Sequence, residues 1–180
     1  FETKRRKKEI MTKKEIATKI PGFTIRSAKA DEVPLILRFI VELAEHEGLT
    51  QEVTATEELL RENLFGERPA AEVLFGCFEG EPVGFAVFFY NFSTLQGKPG
   101  LYLEDLYVRP KMRGRGFGTT LLAYLARLTL EHDGGRFDWG VLTWNTSARQ
   151  FYLSIGARPQ ERFLLNRVDG EALRELASKF

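Results

Sequence analysis

The sequence predicts an α/β fold, a single domain built around a mixed sheet. Apolar residues recur at helical spacing over residues 33–44. They give way to three apolar, β-branched and aromatic runs at 72–78, 83–92 and 101–108. Beyond these runs, helical stripes and short strand-like segments alternate, the mark of helices packed on a sheet. The 180 residues carry 43% hydrophobic and 28% charged side chains, which excludes a disordered chain, a collagen-like repeat and a bare coiled coil. No apolar run approaches the length of a membrane-spanning helix, so no membrane partner is expected.

In chain order, Phe23–Arg26 reads as a short strand after Pro21-Gly22. Asp31 is placed to cap a helix, with Pro34 in its first turn and Val33, Ile36, Leu37, Ile40, Leu43 and Ala44 on one face. Gly48 ends it. Thr54 to Glu57 has the capping-box spacing and opens a second helix through Leu59, Leu60 and Leu64. Residues 72–78 and 83–92 flank Glu79-Gly-Glu-Pro82 and predict a hairpin. Residues 91–100 read as a loop. Leu101–Val108 is apolar on both sides, hence a central strand. Thr119–Glu131 is helical with Leu121, Leu122, Leu125 and Leu128 on one stripe, and Phe137–Thr143 is another strand. A short helix at 146–155 stops at Gly156. Arg162–Val168 reads as a strand and Glu171–Ala177 as a short helix.

Charge is distributed unevenly. Residues 1–22 hold eight bases against three acids, leaving a net charge of −4 on residues 23–180. We read 1–22 as a basic, flexible tail without a role in catalysis, and 23–180 as the functional domain. A mildly acidic body suits a cationic ligand better than nucleic acid, so no nucleic-acid partner is expected. The tail lacks the apolar stretch of a secretory signal, and a cytoplasmic location is expected. The single cysteine, Cys77, lies in the apolar run VLFGCF and reads as a buried structural thiol. No histidine, cysteine and carboxylate constellation points to a metal. His132 ends a helix and favours its negative pole.

The segment that carries chemistry is Arg109–Gly118, a basic, glycine-rich loop between the central strand and a helix. Gly114, Gly116 and Gly118 let the backbone curl and present N–H groups to an anion, and the helix adds its positive N-terminal end. Arg109, Lys111, Arg113 and Arg115 add full charges. Together these read as a pyrophosphate cradle. A dinucleotide fingerprint fails because Thr119 stands where its last glycine belongs, and no Gly-Lys-Ser/Thr closes a P-loop.

Arg113, Gly116 and Gly118 instead match R-x-x-G-x-G, and here the chain resembles the GNAT superfamily of N-acetyltransferases. Within it, the chain is most similar to the spermidine/spermine (diamine) acetyltransferase group. The matching segments are LYLEDLYV at 101–108, RGRGFG at 113–118, TWN at 143–145 and FY at 151–152, with ELAEHE at 42–47 and TEELL at 56–60. The resemblance covers about residues 23–177. It implies a mostly antiparallel sheet flanked by helices, acetyl-CoA as co-substrate, and a homodimer. Transfer is implied to be direct, to a primary amine of a small diamine, polyamine or lysine-like compound. A protein N-acetyltransferase and a non-catalytic CoA sensor are the alternatives.

Candidate site residues follow from the residues and the resemblance together. Glu104 and Asp105 interrupt an apolar strand, and a buried unpaired carboxylate is costly. Alternation puts Glu104 with Leu106 and Val108, and Asp105 with Leu103 and Tyr107. We read Asp105 as structurally paired with a basic side chain. The resemblance makes Glu104 the group that contacts the amine and helps remove its proton. Tyr152 lies on a helical core stripe, and packing alone accounts for that; the resemblance makes it the acid that protonates the departing thiolate. The resemblance assigns CoA contacts to Arg113, Gly114, Arg115, Gly116, Phe117, Gly118 and Thr119. It also assigns them to the main chain of Leu106, Tyr107 and Val108, and to Asn145, Thr146, Ser147 and Ala148. Asn145 is also placed to cap its helix. His46, Glu47, Asp138 and Trp139 are expected near the substrate. Two departures from the group, Leu95 in place of a tryptophan and Arg158–Arg162 in place of an acidic-tryptophan segment, speak against long polyamines and leave a smaller diamine or lysine-like amine open.

Overall fold

The computed structural model describes residues 15–180. They form two compact units, one ending at Gly140 and the other spanning Val141–Phe180.

The first unit is a six-stranded sheet in chain order: β1 (Ile16–Ala17), β2 (Phe23–Ser27), β3 (Glu72–Phe78), β4 (Glu81–Ser93), β5 (Lys98–Val108) and β6 (Arg136–Trp139). Every neighbouring pair is antiparallel except β5–β6, which is parallel. The sheet is thus mixed and mostly antiparallel. Within the segment expected as a tail, Ile16–Ala17 pair with β2 and belong to the sheet. The rest of that segment, residues 1–14, lies outside the described residues.

Helix α1 (Val33–Glu47) and helix α2 (Glu57–Phe65) cover one face. Ile36 and Phe39 pack there on Val73, Phe75, Cys77, Phe85, Val87 and Tyr107, all buried. Phe39 meets Phe85 at 5.4 Å and Phe75 edge-on at 5.9 Å, geometries that aromatic pairs prefer. Cys77 is buried in this cluster, and desolvation raises its thiol pKa, so it is the structural thiol the sequence predicted. Helix α3 (Phe117–Glu131) carries the predicted stripe of Leu121, Leu122, Leu125 and Leu128, and Phe117 stacks on Phe23 at 4.1 Å.

Several local expectations are corrected. A 3-10 turn at Ala30–Glu32 precedes α1, so Asp31 does not cap it. Glu32 instead accepts from the Lys29 N–H and grips the Arg26 guanidinium at 2.7 and 2.8 Å. Helix α2 starts two residues late, capped by Thr56, whose hydroxyl accepts from the Leu59 N–H. The β4–β5 ladder runs on through Ser93 opposite Lys98, which shortens the loop expected at 91–100. Strand β6 stops at Trp139 before Gly140, short of the Thr143 predicted.

The second unit holds α4 (Thr146–Ser154) and α5 (Gly170–Ala177). The strand expected at 162–168 is absent: the segment finds no strand among the described residues with which to form a ladder. Phe163, Leu164 and Leu165 remain 71, 87 and 86% exposed. No helix among the described residues is long and apolar enough to cross a membrane.

Candidate active site

Three features of the first unit meet around the end of β5: an open sheet edge, a glycine loop and an acidic pocket. The edge comes first. Strand β6 pairs with β5 only as far as Leu103 opposite Trp139, and no strand of the described residues pairs with that edge beyond it. On the other edge, the Arg109 N–H donates to the Val83 carbonyl at 3.0 Å. Hydrogen-bonded pairs alternate along an antiparallel ladder, so Tyr107 and Asp105 bond to β4 while the main-chain groups of Leu106 and Val108 face the open edge. The Val108 carbonyl accepts from Arg113 Nε at 2.9 Å on that side, as this phasing requires. The edge therefore presents the Leu106 N–H to whatever extended group lies along it.

The register of β4 and β5 breaks here. Val87 faces Asp105 but Phe88 faces Leu103, so Glu104 is an extra residue in a β-bulge. Val87 and Phe88 are adjacent and point to opposite faces; so do their partners. Asp105 therefore shares a face with Tyr107 but not with Leu103, correcting the simple alternation. Glu104 is exposed.

The loop follows. Gly114 and Gly116 adopt φ of 75° and 81°, left-handed values that favour glycine. Gly116 caps α3, two residues earlier than the sequence predicted, without a side-chain bond. Thr120 N–H is the first to bond within the helix, to the Gly116 carbonyl at 2.9 Å. The N–H groups of Phe117, Gly118 and Thr119 thus lack intrahelical acceptors at a positive helix end. This donor set fits a pyrophosphate. Not all the loop's bases serve as open charges. Arg109 is held by Glu42 at 2.8 and 3.0 Å and lies over the Phe39 ring. That bond keeps the Glu42 carboxyl below the usual carboxylate range. Arg113 is bound to Val108 and His46, and Arg115 lies over Phe78 at 5.5 Å.

The pocket is the third feature. It has a volume of about 310 Å³ and lies between the C-terminal half of α1, residues 49–55 and β5. Its walls are apolar at Ile40, Leu43 and Val53 and acidic at Glu47, Glu52 and Asp105. Asp105 has no basic partner among the described residues, contrary to the pairing expected. Burial pushes its carboxyl from 3.8 up to about 6, and the nearby charges of Glu104 and Glu47 add to the rise. Burial likewise raises Glu47. Sequence reasoning missed Asp105 as a site residue. The bulge that turns it into the pocket is set by cross-strand register, which the local sequence does not display. The available signal was the carboxylate pair itself.

Other candidates separate. His46, expected near the substrate, lies against Arg113 of the loop at 3.2 Å. Asp138 is bound to Arg136 at 2.9 Å within β6, and Trp139 packs on Phe137. In the second unit, Asn145 Oδ1 accepts from the Ala148 N–H at 3.1 Å, so the capping role is real. Thr146, Ser147 and Ala148 form the first turn behind it. Tyr152, on the next turns, is half-buried and packs on Phe151 at 5.4 Å.

Residues 37–157 match the acetyltransferase (GNAT) family model. The chain is a GNAT acetyltransferase. It is 40% identical over 168 residues to a thialysine N-epsilon-acetyltransferase of Sus scrofa, covering 86% of this chain and 97% of that one. An L-ornithine N5-acetyltransferase of Arabidopsis thaliana is 28% identical over 197 residues, 84% of this chain and 86% of its own. Among solved structures, an integron cassette protein from the mobile metagenome of V. cholerae superposes with a TM-score of 0.74 at 26% identity, covering 87% of this chain and 98% of that one. The GNAT chain is thus an N-acetyltransferase by family, and that family uses acetyl-CoA.

Proposed function

We propose that this GNAT enzyme acetylates a terminal amine of a small substrate carrying a second ammonium group, a diamine or a lysine-like compound. The observation that carries the reading is the pocket with Asp105 and Glu47, two desolvated carboxylates of which Asp105 has no basic partner among the described residues. A charge buried without a partner is destabilising, and a substrate cation supplies what the fold withholds. The relatives named for thialysine and ornithine act on compounds of this class, which supports the same reading.

In the proposed reaction, the pyrophosphate of acetyl-CoA lies on Arg113–Thr119, and Leu106–Val108 and Asn145–Ala148 contact the remainder of the cofactor. The amine arrives largely protonated, and Glu104 assists loss of that proton, directly or through water. The neutral amine attacks the thioester carbonyl, the C–S bond breaks, and the nitrogen gives up its extra proton to solvent to leave the amide. The Leu106 N–H stabilises charge on the carbonyl oxygen, and Tyr152 protonates the thiolate. No covalent enzyme intermediate is needed. We further propose that the enzyme is a homodimer. The exposed apolar run Phe163–Leu165 is the kind of surface a second copy covers.

The test is thiol release from acetyl-CoA with 1,3-diaminopropane, 1,4-diaminobutane, lysine, a thioether lysine analogue and a basic peptide. Turnover with the small amines is expected. Turnover with the peptide alone would move the enzyme to protein acetylation, and CoA binding without any turnover would make it a sensor.

A further inference from the structure

We infer that His46 is a positioning residue for the acetyl-CoA loop rather than a contact for the amine. The inference rests on the assignment of Arg113–Thr119 to the cofactor. Residues 113–116 lie between a 3-10 turn at Pro110–Met112 and the start of α3, and two of the four are glycines in left-handed conformations. Such a stretch has little of its own to hold it. Arg115 lies over Phe78, and Arg113 anchors the stretch with three contacts at once. Nε donates to the Val108 carbonyl at 2.9 Å, one guanidinium nitrogen lies 3.2 Å from His46 Nε2, and the carbon lies 5.7 Å from the centre of the Tyr107 ring.

The chemistry of that pair fixes its direction. A guanidinium only donates, so the contact requires a lone pair on His46 Nε2 and the proton on Nδ1. The imidazole is thus an acceptor, and a cation in its place would repel Arg113. His46 stands four residues after Glu42 on α1, so the two share a face. Glu42 holds Arg109 at the loop's entry while His46 holds Arg113 inside it. The last turn of α1 therefore serves both substrates: His46 steadies the cofactor loop and the adjacent Glu47 lines the amine pocket.

The experiment compares His46→Ala, His46→Gln and His46→Lys with the wild type, measuring CoA affinity by calorimetry and KM for each substrate. Loss of one exposed hydrogen bond to a charged group predicts a weakening of CoA by about 3- to 10-fold in His46→Ala. His46→Gln, which keeps a neutral acceptor, is expected to restore binding to within about twofold, and His46→Lys to weaken it beyond the alanine variant. KM for the amine is expected to stay at the wild-type value. In an Arg113→Ala background, His46→Ala is expected to have no further effect, since coupled residues are not additive. His46 is exposed, so thermal melting of the unliganded variants should match the wild type. Wild-type CoA affinity in His46→Ala, or a rise in amine KM with CoA affinity unchanged, would overturn the inference. Failure of the wild-type protein to bind CoA would overturn the cofactor assignment along with it.

Discussion

Replacing Asp105 with asparagine is expected to make the protein more stable at pH 8 and a poorer enzyme. The two effects share one cause. Folding raises this carboxyl from 3.8 to about 6, so the folded state holds the proton more tightly than the unfolded one. The linked stability is therefore greatest below 3.8, declines as pH rises to about 6, and stays low above it. The cost at pH 8 is about 3 kcal/mol, since holding a proton more tightly by one pH unit is equivalent to about 1.4 kcal/mol. Asparagine does not ionise and removes that cost. A gain of about 3 kcal/mol corresponds to a Tm rise of roughly 6–12 °C in a chain of this size. The melting curves of variant and wild type should converge near pH 3. At the same time the pocket loses a carboxylate. A charged hydrogen bond contributes about 1.5–3 kcal/mol, so KM for a dicationic amine should rise about 10- to 100-fold. In the wild type that KM should fall as pH rises through about 6, and in Asp105→Asn this step should vanish. A variant that loses stability at pH 8 would return Asp105 to a structural role.

The second large effect concerns proton transfer. Tyr152→Phe is expected to lower kcat by about 10²-fold, the lower end for loss of a general acid, because a thiolate leaves moderately well unaided. Glu104→Gln is expected to lower kcat/KM at neutral pH by a similar factor, about 10²-fold. The two variants should differ in pH response. An amine with a pKa of about 10.4 gains about tenfold in its neutral form per pH unit below that value, so Glu104→Gln should recover steadily from about pH 7 to 10. Tyr152→Phe should not recover in this way. Steady-state rates across that range, with both substrates varied, read the distinction. Equal pH responses would remove Glu104 from amine deprotonation.

The parts of this enzyme that were legible in its sequence are those set by local chemistry. The leucine stripe of α3, the left-handed glycines of the loop and the Asn145 cap each declare themselves within one turn of chain. The R-x-x-G-x-G spacing carried the family. What was not legible depends on strand partners distant in sequence. Glu104 reads as one of an alternating set until the β4 register makes it a bulge, and only then does Asp105 turn to the pocket beside Glu47. Arg162–Val168 has strand-forming residues, but a strand needs a neighbour, and none of the described strands pairs with it. The resemblance puts both His46 and Glu47 near the substrate; adjacent positions of a helix point about 100° apart, and the His46 ring meets Arg113 of the loop, a contact across 67 residues that the local sequence does not display.

The central claim, that the pocket selects a second ammonium group, is tested most directly by one ratio. At saturating acetyl-CoA, kcat/KM is measured for 1,4-diaminobutane and for butylamine, which differ by that group alone. The pocket carboxylates predict a preference for the diamine of about 10- to 100-fold at pH 8. Equal values for the two amines would contradict the claim.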